Sequence, residues 1–423
     1  MRSAHSKLVV LLLSLASLAW AAAPQFSLQK RVGLTSGDQW EPALAADGAG
    51  HVYVLYPHYG SVPDCKDCRA PVMLLVVSND NGKTWMAPRV MLDSGSAQFD
   101  AQIVVDPADR HTLYAAWLQS HKRDVMLAKS VDAGATWTFT IAARGLAELD
   151  KPVLAVRGSN VYVGFNHEQD IWVASSQDGG RSFTPTRVNA EKYEGWSLLG
   201  GATVDPAGNA FLAWAAYSKP GGARGPVELY VAKSADAGKS WNPTLLDVSA
   251  AAPDCASYEC GEAFLGAQIA LASDAGGTLY ALWSASSQRL GPQRVYFSTS
   301  TNAGENWLPR VSLSAAHAEV EHAFPAIIAG NTGDVRVAWM DSRQAPYWNT
   351  FYRSSSNGGA TWSDETRISG YVAGYRYIGE KGFRFPFGDY FGIAIDNHQD
   401  TQLVWGEGLN YQSPGSIWHS SGR

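Results

Sequence analysis

Charge is scarce in this sequence: Asp, Glu, Lys and Arg make up 17% of 423 residues, and acid exceeds base to leave a net charge of −6. Nucleic acid requires a basic stripe that neutralises phosphates, so polynucleotide partners are excluded. Long apolar runs are also scarce. One lies at the start, where Arg2 and Lys7 precede Leu8 to Trp20 and the small-residue site Ala19-Trp20-Ala21. That layout predicts a signal peptide over residues 1–21. The run is about 13 residues, short of the ~20 that span a bilayer, and no second stretch follows, so no membrane span is expected. The expectation is one domain over residues 22–423, secreted or periplasmic. Cysteine is limited to two close pairs, Cys65 with Cys68 and Cys255 with Cys260. In an exported chain they predict disulfides whose connectivity is open, with a thiolate metal site as the alternative.

What is abundant is glycine (41) and tryptophan (16), the mixture expected of short strands, tight turns and stacked aromatic cores. Aligning the chain on itself reveals one motif six times, Ser-x-Asp/Asn-x-Gly-x-Thr/Ser/Asn-aromatic. The copies run Ser78 to Trp85, Ser130 to Trp137, Ser176 to Phe183, Ser234 to Trp241, Ser300 to Trp307 and Ser355 to Trp362. Such a motif makes a self-sufficient turn: the Asp or Asn oxygen accepts from nearby backbone N–H groups, and Gly takes the positive-φ position. Asn302 and Asn357 replace the acid in two copies, so this carboxylate is structural rather than catalytic.

The motif resembles the Asp-box, or bacterial neuraminidase repeat, and the chain is similar to the sialidase superfamily. The resemblance implies an all-β propeller. Two strand-like runs precede each box, the second ending in an aromatic: Tyr56, Trp117, Phe165, Trp214, Trp283, Trp339 and, beyond the last box, Trp405. That makes seven blades against the six of true sialidases. The last blade lacks a strand after Ser416 to Ser420, and Phe26 to Leu34 reads like the missing one. The expectation is therefore a seven-bladed β-propeller with six Asp-box turns, closed by its N-terminal strand.

Ligands of propellers sit at the channel mouth, opposite the box turns. Aligning the innermost strands puts Glu41, Asp100, Lys151, Leu199, Gln268 (or a neighbour), Phe324 and Tyr390 at the mouth in blades one to seven. The polar members fall on the consecutive blades seven, one, two and three. Sialidase machinery uses a tyrosine nucleophile, a glutamate base and an aspartic acid, so the resemblance implies Tyr390, Glu41 and Asp100 as catalytic residues. Lys151, Asp341, Arg343, Arg384, His322 and Trp348 are the expected substrate contacts. The substrate-clamping Arg-Ile-Pro motif is replaced by Gln39-Trp40-Glu41-Pro42, and Glu41 would repel a substrate carboxylate. His317, Glu319, Glu321 and His322 invite a metal reading, yet no second cluster supports it, so neither metal nor cofactor is expected. The function expected is binding or processing of a glycan at the mouth, by a glycoside hydrolase or polysaccharide lyase. The alternatives are a non-catalytic module for a protein or glycan partner, or a metal or redox partner protein. A monomer is expected.

Overall fold

Every one of the six repeats closes the same turn. In the first, the Ser78 hydroxyl donates to Asp80 Oδ1 (2.8 Å) and accepts from Gly82 N (2.9 Å), while Asp80 accepts from Thr84 N (2.8 Å) and Thr84 Oγ1 (2.7 Å). The Asn copies keep the backbone acceptor: Asn302 Oδ1 takes Asn306 N at 3.0 Å, and Asn357 Oδ1 takes Thr361 N at 2.9 Å. These hydrogen bonds hold the Asp80 and Asp132 carboxyls down at about 2. They are fixed acceptors for the turn.

The turns connect antiparallel strands of a computed structural model that describes residues 24–63, 65–145, 148–167, 169–189, 193–253, 266–344, 347–370, 388, 390–408 and 415–423. The described residues form seven sheets and no helix. Six sheets have four strands; the first has five, because its innermost strand is split into Asp38–Gln39 and Ala43–Ala46 around Glu41. In the seventh sheet Lys30–Arg31 pairs with Gly415–Gly422, opposing Lys30 to His419 and Arg31 to Trp418. Ser27 N and Val32 N extend the seam to Ser421 O (2.8 Å) and Ile417 O (2.8 Å). The ring is thus closed by the N-terminal strand, which completes the seventh blade as its outermost strand and covers the edge of Gly415–Gly422.

Seven apolar clusters hold the ring together, each built from two neighbouring blades, including one joining blade seven to blade one. Their centres are the second-strand aromatics: Tyr56, Trp117, Phe165, Trp214, Trp283, Trp339 and Trp405 are all at most 1% exposed. The box aromatics lie further out. Trp241 is buried, but Trp85, Trp137, Phe183, Trp307 and Trp362 are only half-buried.

Candidate functional site at the channel mouth

A channel of about 620 Å³ runs along the propeller axis, lined by the innermost strands of all seven blades. Its wall is mostly aliphatic, with Lys151, Gln268 and Tyr390 towards one end and Asp106, Arg110, Asp274 and Asn331 towards the box-turn end. The first end is built by a recurring β-bulge. In blades two, three, four and six the innermost strand gains one residue over its partner, as between Phe99 and Gln102 or Asp150 and Val153. Asp100, Lys151 and Phe324 occupy three of these bulges and Glu41 the break in blade one, with φ of 57°, 48°, 56° and 53°. Positive φ is strained for such residues. Because apolar Phe324 shares it, the bulge belongs to the ring architecture, which re-aims whichever side chain stands there. Pro42, Pro152 and Pro325 follow three of these positions, where a missing N–H costs no ladder bond.

Glu41, Asp100, Lys151 and Tyr390 come together as the ring alignment expects. Lys151 Nζ lies 5.8 Å from the centre of the Tyr390 ring. Gly388 packs so tightly on Glu41 that a Cβ there would fall 2.1 Å from Glu41 Cγ. Three further residues complete the cluster. Lys122 Nζ reaches Asp150 Oδ1 at 2.8 Å and Asp100 Oδ2 at 3.6 Å, and Tyr59 adds a second phenol whose electrostatics couple to Glu41 and Asp100. Lys122 belongs to a turn in which Ser120, His121 and Lys122 all have positive φ.

The electrostatics divide the carboxyls. Burial, reinforced by the Asp100 charge, pushes Glu41 up to about 8. Burial likewise raises Asp100, with Asp150 pushing the same way against Lys122. Burial also works to raise Asp150, but Lys122 and Lys151 outweigh it and hold that carboxyl below its ordinary range. Tyr390 is pushed well above the usual phenol value by burial and by Glu41, and its hydroxyl donates to Ala101 O at 3.3 Å rather than to a carboxylate. At neutral pH the mouth therefore combines a protonated Glu41, an ionised Asp150 and two lysines.

The sequence matches the family described as BNR repeat-like domain over residues 7–258, more than half of the chain. The chain belongs to the BNR repeat-like family. Solved structures similar to this BNR-repeat propeller include a protein of unknown function from Dyadobacter fermentans, with 12% identity and a TM-score of 0.54 over 95% of this chain and 100% of that one. A polysaccharide lyase described as an ulvan lyase matches at 11% identity and a TM-score of 0.53, covering 92% and 95%. The NanB sialidase of Streptococcus pneumoniae matches at 12% identity and a TM-score of 0.50, covering 92% and 70%. At such identities the likeness bears on fold alone. A search of the curated proteins finds no match.

The other expected contacts of the BNR-repeat propeller lie away from this cluster. Asp341 and His322 are fully buried: Asp341 accepts from Trp339 Nε1 (3.0 Å) and Arg343 Nε (2.8 Å). His322 uses both ring nitrogens, on Gln293 O (2.9 Å) and the Ser314 hydroxyl (2.7 Å). Arg343 is held by Asp341 and Glu365 and lies 3.7 Å from the centre of the Phe351 ring. Trp348 is buried at 3% exposure in the core between blades six and seven. Asp341, His322 and Arg343 spend their polar atoms on other protein groups, and Trp348 packs between blades, so these residues hold the ring together.

Glu321 accepts from Gln293 N at 2.9 Å, while His317 and Glu319 are exposed. Cys65 and Cys68 form a disulfide with Cα atoms 5.5 Å apart, and Asp93 stands beside it, its Oδ2 4.0 Å from Cys65 Sγ. Residues 1–21, expected to be a signal peptide, fall outside the described residues, as do Arg384, Cys255 and Cys260. The lining of the channel includes two arginines, Arg110 and Arg157, both towards the box-turn face. Among the described residues, no arginine clamp faces Glu41.

Proposed function

We propose that this protein is exported and cleaves a glycosidic bond at the channel mouth, with Glu41 as the proton donor to the departing oxygen. The observation that carries the proposal is the cluster of Glu41, Asp100, Lys122, Asp150, Lys151 and Tyr390, in which neighbouring carboxyls are pushed in opposite directions, Glu41 and Asp100 up by burial and Asp150 down by the lysines. Environments that push paired acids apart are the means by which one site supplies both an acid and a base. Asp150, kept ionised by Lys122 and Lys151, is the group able to accept a proton from water or substrate. Asp100 shares the Lys122 ammonium with Asp150 and so helps to position it. Tyr390 forms the wall against which a sugar ring rests, since its phenol is too weak an acid to serve readily as a nucleophile. The lysines, rather than an arginine triad, are the mouth's cations. This favours sugars held through hydroxyls or a single acidic group over a clamped sialic acid.

The test is incubation of the purified protein with sialylated, uronic-acid and neutral oligosaccharides, followed by assay of new reducing ends and of the ultraviolet absorbance of an unsaturated product. Cleavage of at least one substrate is expected, and the second readout separates elimination from hydrolysis. Retention of glycans without cleavage of any would leave a binding module instead.

A further inference from the structure

Trp196 stands apart from the tryptophans discussed so far. It is the one tryptophan among the described residues with an exposed side chain, at 40%. Its backbone is nevertheless fixed: Trp196 N donates to Gly222 O at 3.0 Å, and Tyr217 N donates to Trp196 O at 2.9 Å. The preceding Gly195 lies so close to the same hairpin that a Cβ would fall 2.6 Å from Lys219 O. This hairpin of blade four carries Lys219 and Arg224 directly opposite each other. Both are exposed, and neither forms an ion pair with a described residue.

Trp196 also lies three residues before the ring position Leu199, which lines the channel beside blade three and its Lys151. At strand rise that separation is about 10 Å along the chain, so Trp196 stands on the mouth side of blade four, just before its innermost strand enters the channel.

We infer that Trp196, Lys219 and Arg224 form an outer subsite for an anionic sugar unit, a uronate or a sulfate ester, of a chain whose inner units reach the channel mouth. This rests on the glycan reading above and extends it to a substrate class. An exposed indole on a fixed backbone offers an apolar platform for the C–H face of a pyranose, at little further backbone entropic cost. The paired lysine and arginine supply the charge-assisted hydrogen bonds that a carboxylate or sulfate requires. An acidic peptide would use the cations but would leave the exposed indole on the mouth side of the blade unexplained.

The experiment is calorimetric titration of the full chain with a six-unit oligogalacturonate, a sulfated hexasaccharide, neutral maltohexaose and a hexaglutamate peptide. The wild type is expected to bind an anionic hexasaccharide more tightly than the neutral one or the peptide. Trp196→Ala should weaken that binding about tenfold. Lys219→Gln with Arg224→Gln should weaken it and flatten its salt dependence, all with an unchanged melting temperature. Glu41→Gln should keep the affinity, so loss of cleavage in that variant reports on the mouth chemistry and loss of binding in Trp196→Ala reports on the subsite. Unchanged affinity in Trp196→Ala, preference for the neutral sugar or the peptide, or binding of neither anionic sugar would overturn the inference.

Discussion

A carboxyl in this protein has its role set by what surrounds it. Asp80 in a box turn is held low by the donors around it, whereas Glu41, desolvated among other acids at the channel mouth, is pushed up to about 8. The second has a consequence for stability. The folded protein binds a proton at Glu41 that the unfolded chain releases near its ordinary value of 4.5, so this group's contribution to stability falls as pH rises from about 4.5 through 8. Glu321, raised to about 8 by burial, adds to the same slope. Melting curves of wild type and Glu41→Gln between pH 4 and 9 should show a shallower decline in the variant; parallel curves would mean that Glu41 titrates normally.

The ring positions were legible from residue type and strand alignment, but Asp150 was not. Simple alternation sends Asp150 and Lys151 to opposite faces, yet the bulge at Lys151 breaks the alternation and brings both to the cluster. Lys122 was missed because a turn residue gives no periodic signal. Asp341, His322 and Trp348 had the chemistry of ligand contacts, and only burial reveals that they pack blades instead.

At the scale of the element, the box turn was fully legible, because its hydrogen bonds are local in sequence. The depth of its aromatic was not, since burial depends on the neighbouring blade. The two tryptophans of blade two separate these effects. Trp117 is fully buried, so Trp117→Ala should cost about 3–5 kcal/mol, and the half-buried Trp137 should cost clearly less in the same denaturant titration. Within the turn, the buried Ser130 hydroxyl accepts from Gly134 N at 2.9 Å and donates to Asp132 Oδ1 at 2.7 Å. Ser130→Ala should therefore lose about 1–3 kcal/mol, while Asp132→Asn should leave the melting temperature nearly unchanged, as Asn302 and Asn357 already serve the same turn. A large loss in Asp132→Asn would assign that carboxylate a role beyond the turn.

The whole molecule depends on closure. Counting second-strand aromatics gave seven blades, and the missing strand of the seventh pointed to the N-terminus, where the pairing of Lys30–Arg31 with Gly415–Gly422 is found. Removal of residues 22–36 should lower the melting temperature steeply or prevent folding; retained cooperative unfolding at the wild-type temperature would remove the closure argument. The substrate was less legible, because the ring fixes where side chains converge and not which sugar they receive.

A closed ring nonetheless brings four blades to one enclosed acid and base, and the claim that this convergence is catalytic is tested most directly by kinetics of Glu41→Gln on whichever glycan the wild type cleaves. The prediction is that kcat falls at least about a hundredfold while KM stays within a few-fold, since the amide keeps the shape but supplies no proton. A variant that cleaves at the wild-type rate, or one in which KM alone rises, would contradict it.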